Sequence, residues 1–427
     1  MSRVFLGSIL FCCNFLFANL LFATDTPENT LVYGKSYQHQ SKIFASKRRY
    51  FISLPENYQQ NNSDYPVLYL IDGDFQFHHV SNISKHLARF GKIAPMIIVG
   101  IANQGPSDYL LSNTWPSKGE DGKNDPAFGG VEKFKAYLYK ELVPQIDRQF
   151  RTNSKRALAG YSLGGLFVLQ SYLDEKSPFN AFLAMSPSAW YDEMAINQRF
   201  KIMLNSENTS NQLRAPLFIS LANERGMGVN ELVEEIKNSK HQPVQWKFKQ
   251  YPEETHYTTA LPALYDALEF LYKDYFIDMP ELMKFKDYNE VLDAFAEKKK
   301  QWAGFDFGWL QSYTFAKYVF YSKQEGEIEA LLKRVKQDFP DSLQEITINL
   351  ALGLNRKAMF DKAEQLLNTT KAQSAENPKW HYQMSLAQEG LKNPETAKKH
   401  HKQALKLAKK YQLESWEYWE LEPDKKF

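Results

Sequence analysis

Short apolar runs alternate with helical periodicities along the first two thirds of the chain. Residues 49–55 group Tyr50, Phe51, Ile52 and Leu54 into an early strand. Residues 65–71 and 95–101 are continuous apolar stretches, too short for helices and rich in β-branched or aromatic residues, and they predict strands buried on both faces. A polar loop full of Gly, Pro, Ser and Asp follows from 103 to 130. Residues 131–150 then place Phe134, Leu138, Leu142 and Ile146 on one helical face, with Pro144 expected to kink or split the helix because it has no N–H. A strand at 156–160 runs into Tyr161-Ser162-Leu163-Gly164-Gly165, and 166–173 continues as an apolar helix. Strands at 181–185, 216–221 and 244–251 and a helix at 261–272 complete the series. This alternation predicts an α/β fold: a mostly parallel sheet with helices on both faces.

After Met279-Pro280 the strand signals stop. Amphipathic periodicity predicts helices at 305–322, 326–339, 343–354, 360–370 and 395–411. Ala363 and Ala397 sit in similar Asp/Glu-x-Ala contexts at the 34-residue period of tetratricopeptide repeats, so this all-α region resembles such a domain, with a plain helical bundle as the alternative. The cluster Lys398-Lys399-His400-His401-Lys402 reads as a solvated helix face. At the other end, Arg3 precedes an apolar run over 4–22, and Ala23 precedes the polar Thr24-Asp25-Thr26-Pro27. That order predicts a signal peptide over residues 1–23 and a periplasmic or secreted protein. A retained segment would instead anchor the chain to a membrane.

The 427 residues then divide into a domain at 31–276 and a second at 280–427. Lys and Arg number 52 against 50 Asp and Glu, and the net charge of +2 argues against a nucleic-acid partner. Both cysteines, Cys12 and Cys13, fall inside the leader. A cleaved chain therefore has no disulfide, thiolate metal site or cysteine nucleophile.

Gly160-Tyr161-Ser162-Leu163-Gly164 fits G-x-S-x-G between an apolar strand and an apolar helix. In that setting the serine occupies a tight strand-to-helix turn at the carboxyl edge of the sheet, as a nucleophile requires. Its base must be a histidine, and only His241 and His256 lie between Ser162 and the helical tail. His241 precedes the last strand, on the wrong edge; His256 follows it, on the edge of Ser162. The acid belongs after the preceding strand, where Glu224 stands in Ala222-Asn223-Glu224-Arg225-Gly226, with Asp192 and Glu254 as lesser candidates. Two backbone amides, those of Leu163 and Asp74, are expected to receive a developing oxyanion.

Taken together, Tyr69-Leu70-Ile71-Asp72-Gly73, Gly160–Gly165, Ser186-Pro187-Ser188-Ala189-Trp190 and the His256 segment resemble the esterase D-like branch of α/β-hydrolases, which includes the enterobactin (siderophore) esterases. The resemblance spans residues 31–276 and implies a serine carboxylesterase that needs no metal or other cofactor. One stretch departs from the pattern: Leu111-Ser112-Asn113-Thr114-Trp115-Pro116 lacks the arginine that relatives often carry there, which weakens the case for an anionic catecholate substrate. Tyr161, Trp115 and Trp190 are expected to line an apolar acyl or aryl pocket, with a place in the core as the alternative for either tryptophan. The expected activity is hydrolysis of a small-molecule ester through an acyl-enzyme. Acyl transfer on the same machinery, or a non-catalytic binding module with a tail for a protein or peptide partner, are the alternatives. Nucleophile, base, acid and oxyanion donors all precede Phe276, so the chemistry is expected not to require the tail.

Overall fold

The computed structural model describes residues 32–422 except 57, 61, 119–121, 207–210, 302–306 and 414. The expected leader, residues 1–23 with its two cysteines, lies outside the described residues. Eight strands form one sheet: β1 (Lys35–Ser41), β2 (Ser46–Ser53), β3 (Tyr65–Ile71), β4 (Ile97–Ile101), β5 (Thr152–Tyr161), β6 (Ala181–Met185), β7 (Leu217–Leu221) and β8 (Trp246–Gln250). Their order is β1-β2-β4-β3-β5-β6-β7-β8. The pairs β1–β2 and β2–β4 are antiparallel, and every other pairing is parallel. This is the α/β-hydrolase fold. β1 escaped the sequence reading because Lys-Ser-Tyr-Gln-His-Gln-Ser has no apolar alternation; it is an edge strand held by its partner β2.

All seven residues of β3 are buried, as a strand covered on both faces requires. Leu68 and Leu70 join one apolar core together with the helices Gly73–Arg89 and Ala260–Leu271. Val67, Tyr69 and Ile71 join the opposite core, with the helices Val131–Tyr137, Leu163–Tyr172, Tyr191–Leu204 and Val229–Asn238. Pro144 interrupts the α geometry of its helix without ending the helical run. One π-helical turn, Leu138–Leu142, separates Val131–Tyr137 from Val143–Gln149. The wider turn absorbs the missing proline N–H and the crowding of its ring against the preceding carbonyls.

In the tail, helices begin at Trp309, Leu343 and Pro378, and their successors at Ile328, Phe360 and Pro394. Four α-helices were not expected: the short Met279–Leu282 and Ser415–Leu421, and the longer Tyr288–Gln301 and Pro378–Gly390. Pro378–Gly390 buries Gln383, Ser385 and Gln388 beside Trp380, Met384 and Ala387, so its inner face is half polar and its periodicity faint. The core that starts at Leu68 continues through Tyr272, Tyr275 and Ile277 into Leu292, Phe295 and Phe315. The described residues from 33 to 422 accordingly cluster as one compact unit. Among the described residues, no helix is long and apolar enough to cross a membrane.

Candidate active site

β5 delivers Ser162 at its carboxyl end, with φ +56° and ψ −120°. A non-glycine residue holds that backbone only where its surroundings over-determine it. Here they do. The Ser162 N–H donates to the Met185 carbonyl (3.1 Å), and the Ser162 carbonyl accepts from the Leu166 and Ser188 amides, both at 3.0 Å. The turn also depends on Gly160, where a Cβ would lie 2.2 Å from the Gly164 carbonyl oxygen.

His256 follows β8 and sets its Nε2 3.0 Å from Ser162 Oγ. Its other ring nitrogen, Nδ1, contacts Glu224 Oε1, and Glu224 is the more enclosed of the two. Glu224 stands just past β7, and its second oxygen accepts from the Ala222 amide (3.2 Å). The order and edges read from the sequence thus bring Ser162, His256 and Glu224 into one line. The lesser acids lie elsewhere. Asp192 accepts from Trp115 Nε1, and Glu254 contributes a backbone carbonyl to the Asn223 amide.

Of the three aromatics expected at a pocket, two are buried. Trp115 is buried against the Tyr191 ring, with Arg199 stacked over it at 4.0 Å, so its indole belongs to the core. Tyr161 is also buried. Its ring lies 4.8 Å from the His256 ring and its hydroxyl donates to the His256 carbonyl, which fixes the loop that carries the imidazole. Trp190 is the exception, with 47 % of its surface exposed.

Leu163 and Asp74 open the helices Leu163–Tyr172 and Gly73–Arg89, where the first backbone N–H groups have no partner within the helix. The two turns are neighbours: a Cβ on Gly164 would touch Ile71 Cγ2 at 3.0 Å. The Asp74 carboxylate is engaged by Arg49 and by the Asn103 amide (2.7 Å). Asp72 accepts from the Asn103 side chain. Burial, and then the charge of Asp74, push its carboxyl up from 3.8 to about 6, against the pull of Asn103. A folded-state value above the unfolded one means that Asp72 favours folding while protonated. That contribution is present below about pH 4 and is lost as pH rises through 6. Asp72→Asn is therefore expected to raise the thermal midpoint at pH 8, with the gain shrinking steadily towards pH 4. Melting curves across that range check it.

Sequence reasoning missed two residues here. Ser188 is buried with its hydroxyl 3.3 Å from Ser162 Oγ. It lies within the Ser186–Trp190 motif, but nothing in that motif ranks one serine over the other. Tyr109, on the helix Pro106–Asn113, reaches the turn from a segment read as a polar loop, and no sequence signal marks it.

The family model described as Putative esterase matches residues 41–262. The chain is 28 % identical to the ferri-bacillibactin esterase BesA of Bacillus subtilis over 244 residues, covering 52 % of this chain and 83 % of that one. An IroE-like serine hydrolase from Shewanella oneidensis superposes with a TM-score of 0.59 at 26 % identity, over 72 % of this chain and 99 % of that one. An uncharacterised protein from Capnocytophaga ochracea covers 91 % of this chain and 99 % of its own at a TM-score of 0.56; at 14 % identity that likeness is one of fold.

Proposed function

The chain belongs to the Esterase family and is a carboxylic-ester hydrolase, and on that premise we propose that it works through Ser162, His256 and Glu224 as a catalytic triad. The observation that carries this reading is the Ser162 Oγ to His256 Nε2 distance of 3.0 Å, with Glu224 on the far side of the ring. Ser162 attacks the ester carbonyl as its proton passes to His256 Nε2. The carbonyl electron pair moves onto oxygen, facing the Leu163 and Asp74 amides. Collapse expels the alcohol, which takes the proton from His256, and leaves an acyl group on Ser162. Water then enters by the same steps in reverse and releases the acid. Glu224 fixes the imidazole and stabilises the cation that forms.

Siderophore-type esters are the first substrates to try, because a relative is named for ferri-bacillibactin. The missing arginine at 111–116 and the exposed Trp190 favour an uncharged aryl or acyl group over an anionic catecholate. We place the mature protein in the periplasm or outside the cell, with residues 1–23 removed. The helix pairs of the tail, with a spacing near that of tetratricopeptide repeats, suit a peptide or protein partner.

A fluorophosphonate probe tests the nucleophile directly: labelling should reside on Ser162 and vanish in Ser162→Ala. The acid has its own test. Glu224→Gln is expected to lower kcat clearly less than His256→Ala does, because orienting the ring contributes less than moving the proton. A silent Glu224→Gln beside a crippled Asp192→Asn or Glu254→Gln would reassign the acid.

A further inference from the structure

We infer that the Tyr109 hydroxyl is a third hydrogen-bond donor to the oxyanion formed on the substrate; this rests on Ser162 being the nucleophile. The phenol oxygen sits between the two backbone groups that bracket the nucleophile. It accepts from the Gly164 N–H at 3.2 Å and donates to the Tyr161 carbonyl at 3.2 Å. Between these positions lie only Ser162 and Leu163, and both the Leu163 amide and the Ser162 hydroxyl are near enough to the phenol to hold its pKa down. An oxyanion that accepts from the Leu163 N–H therefore forms beside the phenol oxygen, within its hydrogen-bond reach.

The helix that presents Tyr109 is clamped. Its neighbour Asp108 takes both arms of the buried Arg48, at 2.9 and 2.8 Å, and also binds the Gln104 amide and the Ser112 hydroxyl. The Tyr109 ring thus arrives on a fixed support, which a preorganised donor needs. Burial pushes the phenol up to about 12, hydrogen bonds from Gly164 oppose it, and nearby Asp72 adds to the rise. The group keeps its proton throughout the working pH range.

A hydroxyl has one proton and can turn it. In the resting site the proton rests on the Tyr161 carbonyl, a neutral acceptor. Once the substrate oxygen gains a full negative charge, rotation about the Cζ–Oη bond exchanges that neutral hydrogen bond for a charge-assisted one, roughly twice as strong. The Gly164 N–H continues to hold the phenol oxygen during the turn. The donor is thus stronger in the transition state than in the ground state, the condition for raising kcat rather than lowering KM.

Tyr109→Phe keeps the ring and its packing and removes the donor. The expected result on an activated aryl ester is a fall in kcat of about 10²-fold with KM within about threefold, in the range seen for loss of a single oxyanion donor. A trifluoromethyl ketone, which forms a charged tetrahedral adduct on a nucleophilic serine, should lose affinity by a similar factor. An ether analogue with no carbonyl should bind as before. Thermal melting shows whether the variant is folded, and Tyr109→His, which restores a donor on a ring, should recover part of the lost rate if it melts normally. Two results overturn the inference: kcat within threefold of the parent, or a fall in kcat with ketone affinity unchanged, which would make the phenol only a pin for the turn. Should Ser162→Ala stay active, the triad reading itself falls; an inactive Ser162→Ala beside a normal Tyr109→Phe removes the Tyr109 role alone.

Discussion

Ser162→Ala is expected to lower kcat on an activated aryl ester by three decades or more and to leave the fold intact. The size follows from what the side chain does: without Oγ there is no acyl-enzyme, and removing a triad nucleophile leaves only the catalysis of the oxyanion donors and substrate binding. The fold should survive because the turn is held by its backbone. The Ser162 N–H and C=O bind Met185, Leu166 and Ser188, and none of those bonds involves Oγ. Alanine meets the same positive φ that serine already accepts. The side chain itself bonds to groups that can relax, among them the His256 ring and the Ser188 hydroxyl. Steady-state kinetics with a thermal melt of the same preparation checks both halves. Activity within about tenfold of the parent, a barrier change under ~1.4 kcal/mol, would end the serine-hydrolase mechanism.

The line from Ser162 through His256 to Glu224 was legible in the sequence because each member is tied to a strand end. A strand that stops at Gly160-Tyr161 can only continue into a helix through a tight turn, and the carboxyl ends of parallel strands all meet at one edge. Counting strands then places Glu224 after β7 and His256 after β8. What the sequence hid has no such anchor. Tyr109 lies on the eight-residue helix Pro106–Asn113, inside a stretch whose Gly, Pro, Ser and Asp content reads as loop. Its role arises from an approach across some fifty residues of chain, which local periodicity does not carry. Trp115 was ambiguous for a different reason. An aromatic residue near a site reads equally well as cleft wall or as core, and here the pairing of its indole with Asp192 and its packing on Tyr191 decide for the core. Tyr161 combined both signals, since its backbone belongs to the motif while its buried hydroxyl supports the His256 loop.

Deleting residues 280–427 is expected to cost the protein its fold while leaving each properly folded active site unimpaired. The chemistry argument is one of edges. Ser162 leaves the carboxyl end of β5, and β3 runs parallel to β5. The tail meets the body at the other end of these strands: a crevice there is lined by Tyr65 and Pro66 at the start of β3, by Pro95 and Met96 before β4, and by Trp309, Gln344 and Lys379 of the tail. A seven-residue strand separates the two edges by about 20 Å, so at this crevice the tail neither caps Ser162 nor supplies it with a group. The stability argument is one of continuity. Tyr272, Tyr275 and Ile277 belong to the same core as Leu68 and Phe315. Both backbone groups of Ile277 are bonded to the buried Gln311 side chain, at 3.0 and 3.1 Å. Gly91, at the end of the Gly73–Arg89 helix, packs on Phe276. Uncovering even three or four such side chains removes roughly 1.5–3 kcal/mol apiece, a sum comparable with the ~5–15 kcal/mol that holds an ordinary domain together. The truncated chain should therefore melt at least 10 °C lower or fail to stay in solution, while its folded fraction, counted by fluorophosphonate titration, turns over a small aryl ester within about tenfold of the full chain. A truncated chain that melts like the parent would show that the tail folds as a separate domain. One that is folded yet inactive would show that the tail completes the active site after all.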